Sequence, residues 1–225
     1  MADQWIVGYG SLMDRASRTR QAPRAQSAFP VKVRGISAGW FHQFRKITQS
    51  LSPTFLGATQ MASASCGGVI YQATDTDLNA TDQRETGYTR VEVPAAAITL
   101  LTGTGVALQP GDHYWIYISQ EAYIGTPDQS FPVVQSYVDL CVNGAIEAMQ
   151  SYPAAAGSFP NDWLNMIDWL PIKSHDRVWW LNDRTYPYRA SLTIPNASAI
   201  DATLAGNPGT GELWKTAMRQ VVFPA

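Results

Sequence analysis

The hydrophobic period of this chain changes once, near Pro132, and that change decides what it can fold into. Before it, apolar residues come in short alternating runs bounded by turn residues. Val31-Lys32-Val33-Arg34-Gly35-Ile36 is the clearest, one face apolar and one polar, as a half-buried strand requires. The same signals predict strands over 4–7, 31–36, 40–44, 54–60, 68–73, 90–93, 98–101 and 114–119. One helix interrupts the series, capped by Thr74 or Asp75, with Leu78 on its apolar side, Glu85 in its last turn and Gly87 as its stop. From Pro132 the period becomes helical: Val134, Tyr137, Val138, Cys141, Ala145 and Ala148 recur at three- and four-residue steps. A second helix is predicted over 161–169. Trp179-Trp180-Leu181 suits a strand or a buried turn, residues 183–189 an ordered loop, and Gly103-Thr104-Gly105 and Gly206-Asn207-Pro208-Gly209 turns. Strands followed by a helical block give an α+β fold, without the regular spacing of a doubly wound sheet.

Composition narrows the class further. A chain of 225 residues, 45% hydrophobic and 11% aromatic, supports a packed core in one domain with an extension, or in two small domains. The formal net charge of −2 lacks the basic footprint of a nucleic-acid binder. Cys66 and Cys141 form no metal-ligand spacing, and leave two readings: reduced buried thiols, or a disulfide between them. The N-terminal residues lack the basic and apolar regions of a secretory signal, and no apolar run approaches the ~18 residues of a membrane span. The expectation is a soluble, cytoplasmic protein with no membrane and no nucleic-acid partner.

Two segments carry chemistry. In Val7-Gly8-Tyr9-Gly10-Ser11-Leu12, an apolar strand ends in a turn where two glycines bracket a tyrosine. Glycine lets backbone N–H groups approach a ligand closely, and such groups can hold a carboxylate or a developing oxyanion. In the second, Asp82-Gln83-Arg84-Glu85-Thr86-Gly87-Tyr88-Thr89-Arg90, the pattern D-x-x-E-x-x-Y-x-R joins the helix end to a strand.

The Tyr-Gly-Ser-Leu turn, this motif, the strand Gly68-Val69-Ile70-Tyr71 before it, and Pro132-Val133-Val134-Gln135-Ser136-Tyr137 opening a helix together resemble the γ-glutamylcyclotransferase-like superfamily, in its AIG2-like and γ-glutamylamine branch. The resemblance spans about residues 4–145. It implies a small mixed β-barrel with flanking helices over residues 1–150. Residues 151–225 have no counterpart in the minimal family domain and are expected to form a helical, Trp-rich extension packed on it. It also implies a small-molecule γ-glutamyl substrate, whose α-amine attacks its own γ-carbonyl and releases 5-oxoproline and an amine, with no cofactor and no metal. Glu85 matches the acid/base position. Gly10, Ser11 and Leu12 match the backbone donors, with Tyr9 as wall and Tyr88 and Tyr137 as pocket tyrosines. Two alternatives stand beside this: a binding module that keeps the pocket without turnover, and an enzyme of the same fold acting on another amide.

Other candidates have plainer explanations. Asp82 suits a cap or a solvent-facing position, and Arg90 a sheet-surface ion pair. His42, His113 and His175 stand in unlike contexts, without partners at metal-ligand spacing. Ser11 is not in a G-x-S-x-G elbow, and the glycine pairs lack the ending of a phosphate loop. The segment after residue 150 holds Trp163, Trp169, Trp179, Trp180 and Trp214. These either pack the extension on the first part or, with Asp183-Arg184 and residues 186–189, border the pocket mouth.

Overall fold

In the computed structural model, which describes residues 2–44, 52–101, 103, 105–174, 177–185, 187–188 and 196–219, the first half forms strands that are fewer and longer than the alternation suggests. β1 is Gln4–Gly8, followed by a 3-10 turn Ser11–Met13 and the short helix α1, Arg15–Arg18. The predicted strands at 31–36 and 40–44 are one strand, β2, Phe29–Gln43, and those at 54–60 and 68–73 are likewise one, β3, Thr54–Ala73. They pair antiparallel along nearly their whole length, with register shifts between Arg34 and Ile36 and between Trp40 and His42. Helix α2, Asp75–Arg84, then leads to β4, Tyr88–Glu92, β5, Ile98–Leu100, and β6, His113–Ser119. The short β7, Val133–Val134, opens directly into α3, Gln135–Ser151. Beyond lie α4, Pro153–Ala156, and α5, Phe159–Asn165, then β8, Ile167–Asp168, β9, Lys173–Ser174, β10, Arg177–Val178, and β11, Trp180–Leu181. Helices α6, Ala197–Gly206, and α7, Gly211–Arg219, complete the described chain.

The main sheet runs β4-β6-β1-β3-β2-β5, with β8 alongside β2. It is mixed, because β1 pairs antiparallel with β3 and parallel with β6. The barrel expected from the resemblance is not closed. The terminal strands, five and three residues long, make no pairing with each other among the described residues. Closure needs the edge strands to pair with each other in a staggered register. The α+β class holds, with an open sheet.

Helix α3 packs near β2 and β3, and its Val138, Cys141, Val142 and Ala145 are fully buried. The segments after α3 add to this body. β8 pairs with β2 at Ala38 and Gly39, β11 pairs with β7 at Val133 and Val134, and Trp163 and Trp180 are fully buried. Both cysteines are free and buried, and burial pushes the Cys66 thiol up to about 12. No described helix is long and apolar enough to cross a membrane.

One contact fixes where the N-terminal turn sits. A Cβ on Gly144, in the middle of α3, would stand 2.4 Å from the backbone nitrogen of Asp14 and 2.5 Å from the carbonyl carbon of Met13. Only a residue without a side chain lets that backbone rest on the helix. Asp14 caps α1 by accepting from Ser17 N–H at 2.7 Å and also accepts from Asn143 Nδ2 at 2.8 Å. Because the obstacle is backbone, Gly144→Ala must push the turn away, and overpacking of this kind costs about 1–3 kcal/mol. Urea unfolding should show a loss in that range, and an unchanged midpoint would mean that the contact is looser than the structure has it.

Candidate active site

Glu85 owes its place to the way α2 ends. Thr74 caps the helix in a capping box with Asp77, and Leu78 and Thr81 are buried on its inner face. The helical pattern stops one residue earlier than predicted, at Arg84, and Glu85 is the C-cap, its N–H returning to Thr81 O at 2.9 Å. The chain reverses at once. Tyr88 N–H bonds Glu85 O at 3.0 Å across a turn in which Gly87 has φ +88°, a conformation that favours glycine. Glu85 and Tyr88 therefore stand at the two ends of one turn.

The Tyr9–Leu12 segment reaches the same place from the centre of the sheet, where β1 ends. Gly10 precedes the 3-10 turn and no side chain caps it. The N–H groups at the start of that turn have no acceptor within it. Trp163 Nε1 donates to Tyr9 O at 3.0 Å from the far side. The two segments line one narrow cleft, bordered by Tyr9, Gly10, Ser11, Leu12, Glu85, Tyr88 and Tyr137 together with Val7, Gly8, Leu56 and Tyr117. All seven residues singled out in the sequence border it. Tyr137 also packs edge-on against Trp40 and Phe55, and a Cβ on Gly10 would lie 3.2 Å from its hydroxyl.

The phenols are wall rather than donors at three positions. Tyr9 OH donates to Tyr117 O at 2.8 Å, Tyr88 OH to Leu56 O at 3.0 Å, and Tyr117 OH to Asp82 Oδ1 at 2.7 Å. Burial raises the Tyr9 and Tyr88 pKa values well above the usual phenol range, and the negative charge of Glu85 adds to this. Both stay neutral at physiological pH. Asp82 does not enter the cleft. It holds Tyr117 and pairs with Arg90 at 3.5 Å, while the Arg90 guanidinium lies over Trp115 at 4.8 Å. The first and last residues of the D-x-x-E-x-x-Y-x-R pattern thus brace the cleft from behind.

The sequence pattern alone did not single out Tyr117, Leu56 or Arg84. Tyr117 falls in ordinary strand alternation, and Arg84 looks like a solvated cation in the last turn of a helix. Its Nε instead lies 3.0 Å from Glu85 Oε1, and its terminal nitrogens reach Ser11, Ser17 and Gln21.

No protein-family model and no curated protein matches the sequence. Solved structures similar to the chain include γ-glutamyl cyclotransferases. One shares 17% identity over 75% of this chain and 95% of its own, with a TM-score of 0.49. A yeast γ-glutamyl cyclotransferase specific to glutathione shares 14% over 71% and 89%, with a TM-score of 0.39. An uncharacterized human protein shares 18% over 69% and 87%, with a TM-score of 0.48. The likeness is confined to chain architecture and assigns neither activity nor substrate.

The remaining candidates lie elsewhere. None of Trp163, Trp169, Trp179, Trp180 and Trp214 lines the cleft; Trp169 packs between Trp40 and Trp180 at centroid distances of 5.2 and 5.4 Å. Asp183 accepts from Ser136 N–H at 2.7 Å and Oγ at 2.6 Å, holding the first turn of α3 beside Tyr137, and Arg184 pairs with Asp139 and Asp201. His113 pairs with Glu92 at the surface. Among the described residues no three His, Cys, Asp or Glu side chains cluster as metal ligands. Thr104, His175, Tyr186 and Arg189 lie outside the described residues.

His42 is buried, stacked on Tyr88 at 3.7 Å and on Tyr123 at 5.7 Å, with Nδ1 3.1 Å from Ser119 Oγ. Burial lowers its pKa from 6.5 to about 4. The unfolded chain therefore binds this proton more readily, and stability falls as pH drops from about 6.5 to about 4, then levels off. The term is on the order of 3 kcal/mol. Urea unfolding of the parent and of His42→Gln across this range should show a steeper acid loss in the parent; parallel curves would contradict the assignment.

Proposed function

We propose that this protein is a γ-glutamylcyclotransferase-like enzyme in which Glu85 moves the proton. The observation that carries the reading is the cleft itself, which Glu85 borders together with Gly10, Ser11 and Leu12 of the turn and the tyrosines Tyr9, Tyr88, Tyr117 and Tyr137.

Ring closure begins with the α-ammonium of the γ-glutamyl group losing a proton to Glu85. The freed amine attacks the γ-carbonyl carbon, and a C–N bond forms as the carbonyl oxygen becomes an oxyanion. Backbone N–H groups of Gly10, Ser11 and Leu12 are the donors for that oxygen or for the substrate's α-carboxylate. Glu85 then delivers its proton to the leaving nitrogen, the original amide C–N bond breaks, and 5-oxoproline departs. Overall two protons pass from the attacking to the leaving nitrogen, which leaves as an ammonium ion. The buried ring of Tyr9 and the ring of Tyr88 hold the substrate folded on itself, an orientation effect worth several kcal/mol. The wall residues act on the glutamyl half that all such substrates share, and the identity of the amine is a separate matter.

Purified protein should release 5-oxoproline from at least one member of a panel of γ-glutamyl amines, γ-glutamyl dipeptides and glutathione. Glu85→Gln should keep the fold and reduce turnover by at least ~100-fold, the scale of a lost general acid/base. Equal rates for variant and parent would sink the mechanism. A parent that binds a panel member without releasing 5-oxoproline would instead favour a binding module.

A further inference from the structure

Arg84 occupies a variable position of the D-x-x-E motif, and neither the resemblance nor the proposed mechanism gives it a role. Its surroundings do. Nη1 donates to Ser17 O and to Gln21 Oε1, both at 2.8 Å. Nη2 donates to Ser17 Oγ at 2.9 Å and to Ser11 Oγ at 3.0 Å, while Nε faces Glu85 Oε1 at 3.0 Å. A planar guanidinium with donors in a fixed fork can do all this at once; a lysine ammonium cannot. The side chain is only 18% exposed, so the pair with Glu85 is shielded from most solvent screening.

Two consequences converge on the cleft. A hydroxyl has one O–H to give and two lone pairs to receive with. Ser11 Oγ receives from a cation, so its own O–H remains as a donor, polarised by the charge behind it. Ser11 borders the cleft. The same cation holds one oxygen of Glu85, which restricts the carboxylate to one orientation. We propose that Arg84 is a positioning residue: a single guanidinium that orients the Glu85 carboxylate and commits the Ser11 hydroxyl to donate to an oxygen of the bound glutamyl group. The second half of this rests on the cyclotransferase reading; the first half does not.

Arg18 and Asp77 act with Arg84 and Glu85 on the same buried Tyr71. Arg84 is the neighbouring cation. Tyr9, Tyr71 and Tyr88, from the turn, β3 and β4, all feel the Glu85 charge and are kept neutral by burial. Tyr137 of α3 and Tyr117 of β6 border the same cleft, and His42 behind Tyr88 is neutral above about pH 4. Removing Arg84 therefore takes away a formal positive charge in contact with the carboxylate.

The test has two arms. Protein labelled with ¹³C at glutamate side-chain carboxyls is titrated by NMR, Glu85 being identified by its loss in Glu85→Gln. In Arg84→Gln the Glu85 carboxyl should titrate about one to three pH units higher than in the parent, with Arg84→Lys in between. The second arm is a double-mutant cycle on 5-oxoproline release. Ser11→Ala should lower kcat at least ~10-fold in the parent and far less in the Arg84→Gln background, because the pair acts as a unit. Ser17→Ala removes another Arg84 contact outside the cleft and should lower thermal stability without moving the Glu85 titration. An Arg84→Gln protein that is destabilised yet titrates Glu85 as the parent does would reduce Arg84 to a structural brace and overturn the proposal, as would additive effects of Ser11→Ala and Arg84→Gln. If the parent releases no 5-oxoproline, the cyclotransferase reading fails with the Ser11 half of the proposal. The titration still decides the Glu85 half, and if Arg84→Gln does not fold, Arg84→Lys decides it alone.

Discussion

The site depends on how tightly one short stretch of backbone is held. Residues 9–14 leave the centre of the sheet and cross to α3, and each side of the crossing is anchored by a different kind of contact. Backbone rests on backbone at Gly144, where a methyl group would already collide. Asp14 links the first turn of α1 to Asn143 on α3. Trp163 donates to the Tyr9 carbonyl from the later part of the chain. Arg84 closes the arrangement from α2 through Ser11 and Ser17. A ligand meeting the N–H groups of this turn finds them already fixed, so little ordering entropy is lost at the moment of binding.

This explains a division of labour inside the D-x-x-E-x-x-Y-x-R motif. Glu85 and Tyr88 border the cleft, whereas Asp82 and Arg90 pair with each other behind it. Asp82 receives the Tyr117 hydroxyl, whose backbone carbonyl receives the Tyr9 hydroxyl. The motif is thus one facing half and one supporting half, and the support reaches the N-terminal turn through two tyrosines.

Much of this was legible in the residues, and the failures have physical causes. The α+β division follows from the change of period at Pro132, and the Thr74 cap is visible as a capping signal. Two pairs of predicted strands merge because the gaps between them, Ser37-Ala38-Gly39 and residues 61–67, are rich in small or polar residues and look like turns. In the fold, antiparallel pairing and register shifts carry the strands through. The helix predicted to reach Trp169 stops at Asn165 because Ile167 and Asp168 add to β2, a tertiary pairing no local pattern announces. α6 has no capping side chain, so only the predicted turn at Gly206-Asn207-Pro208-Gly209 marked its end and nothing marked its start. α7 did leave a signal: Leu213, Trp214 and Ala217 form a helical stripe. Of the site, the residues on the two motifs could be named. Tyr117 and Arg84 could not, because apart from the adjacent Glu85 their partners lie tens of residues away, beyond any spacing rule.

Those separations have a further meaning. The bonds that shape the cleft join residues 73, 108 and 154 positions apart, from Ser11 to Arg84, Tyr9 to Tyr117 and Tyr9 to Trp163. Such distant closures slow folding, since loop-closure entropy must be met before the contact stabilises the chain. A nascent chain still short of Trp163 has the turn and the glutamate but not the bond that backs the turn. The backing of the turn is therefore a property of the long-range fold, absent until the chain extends past Trp163.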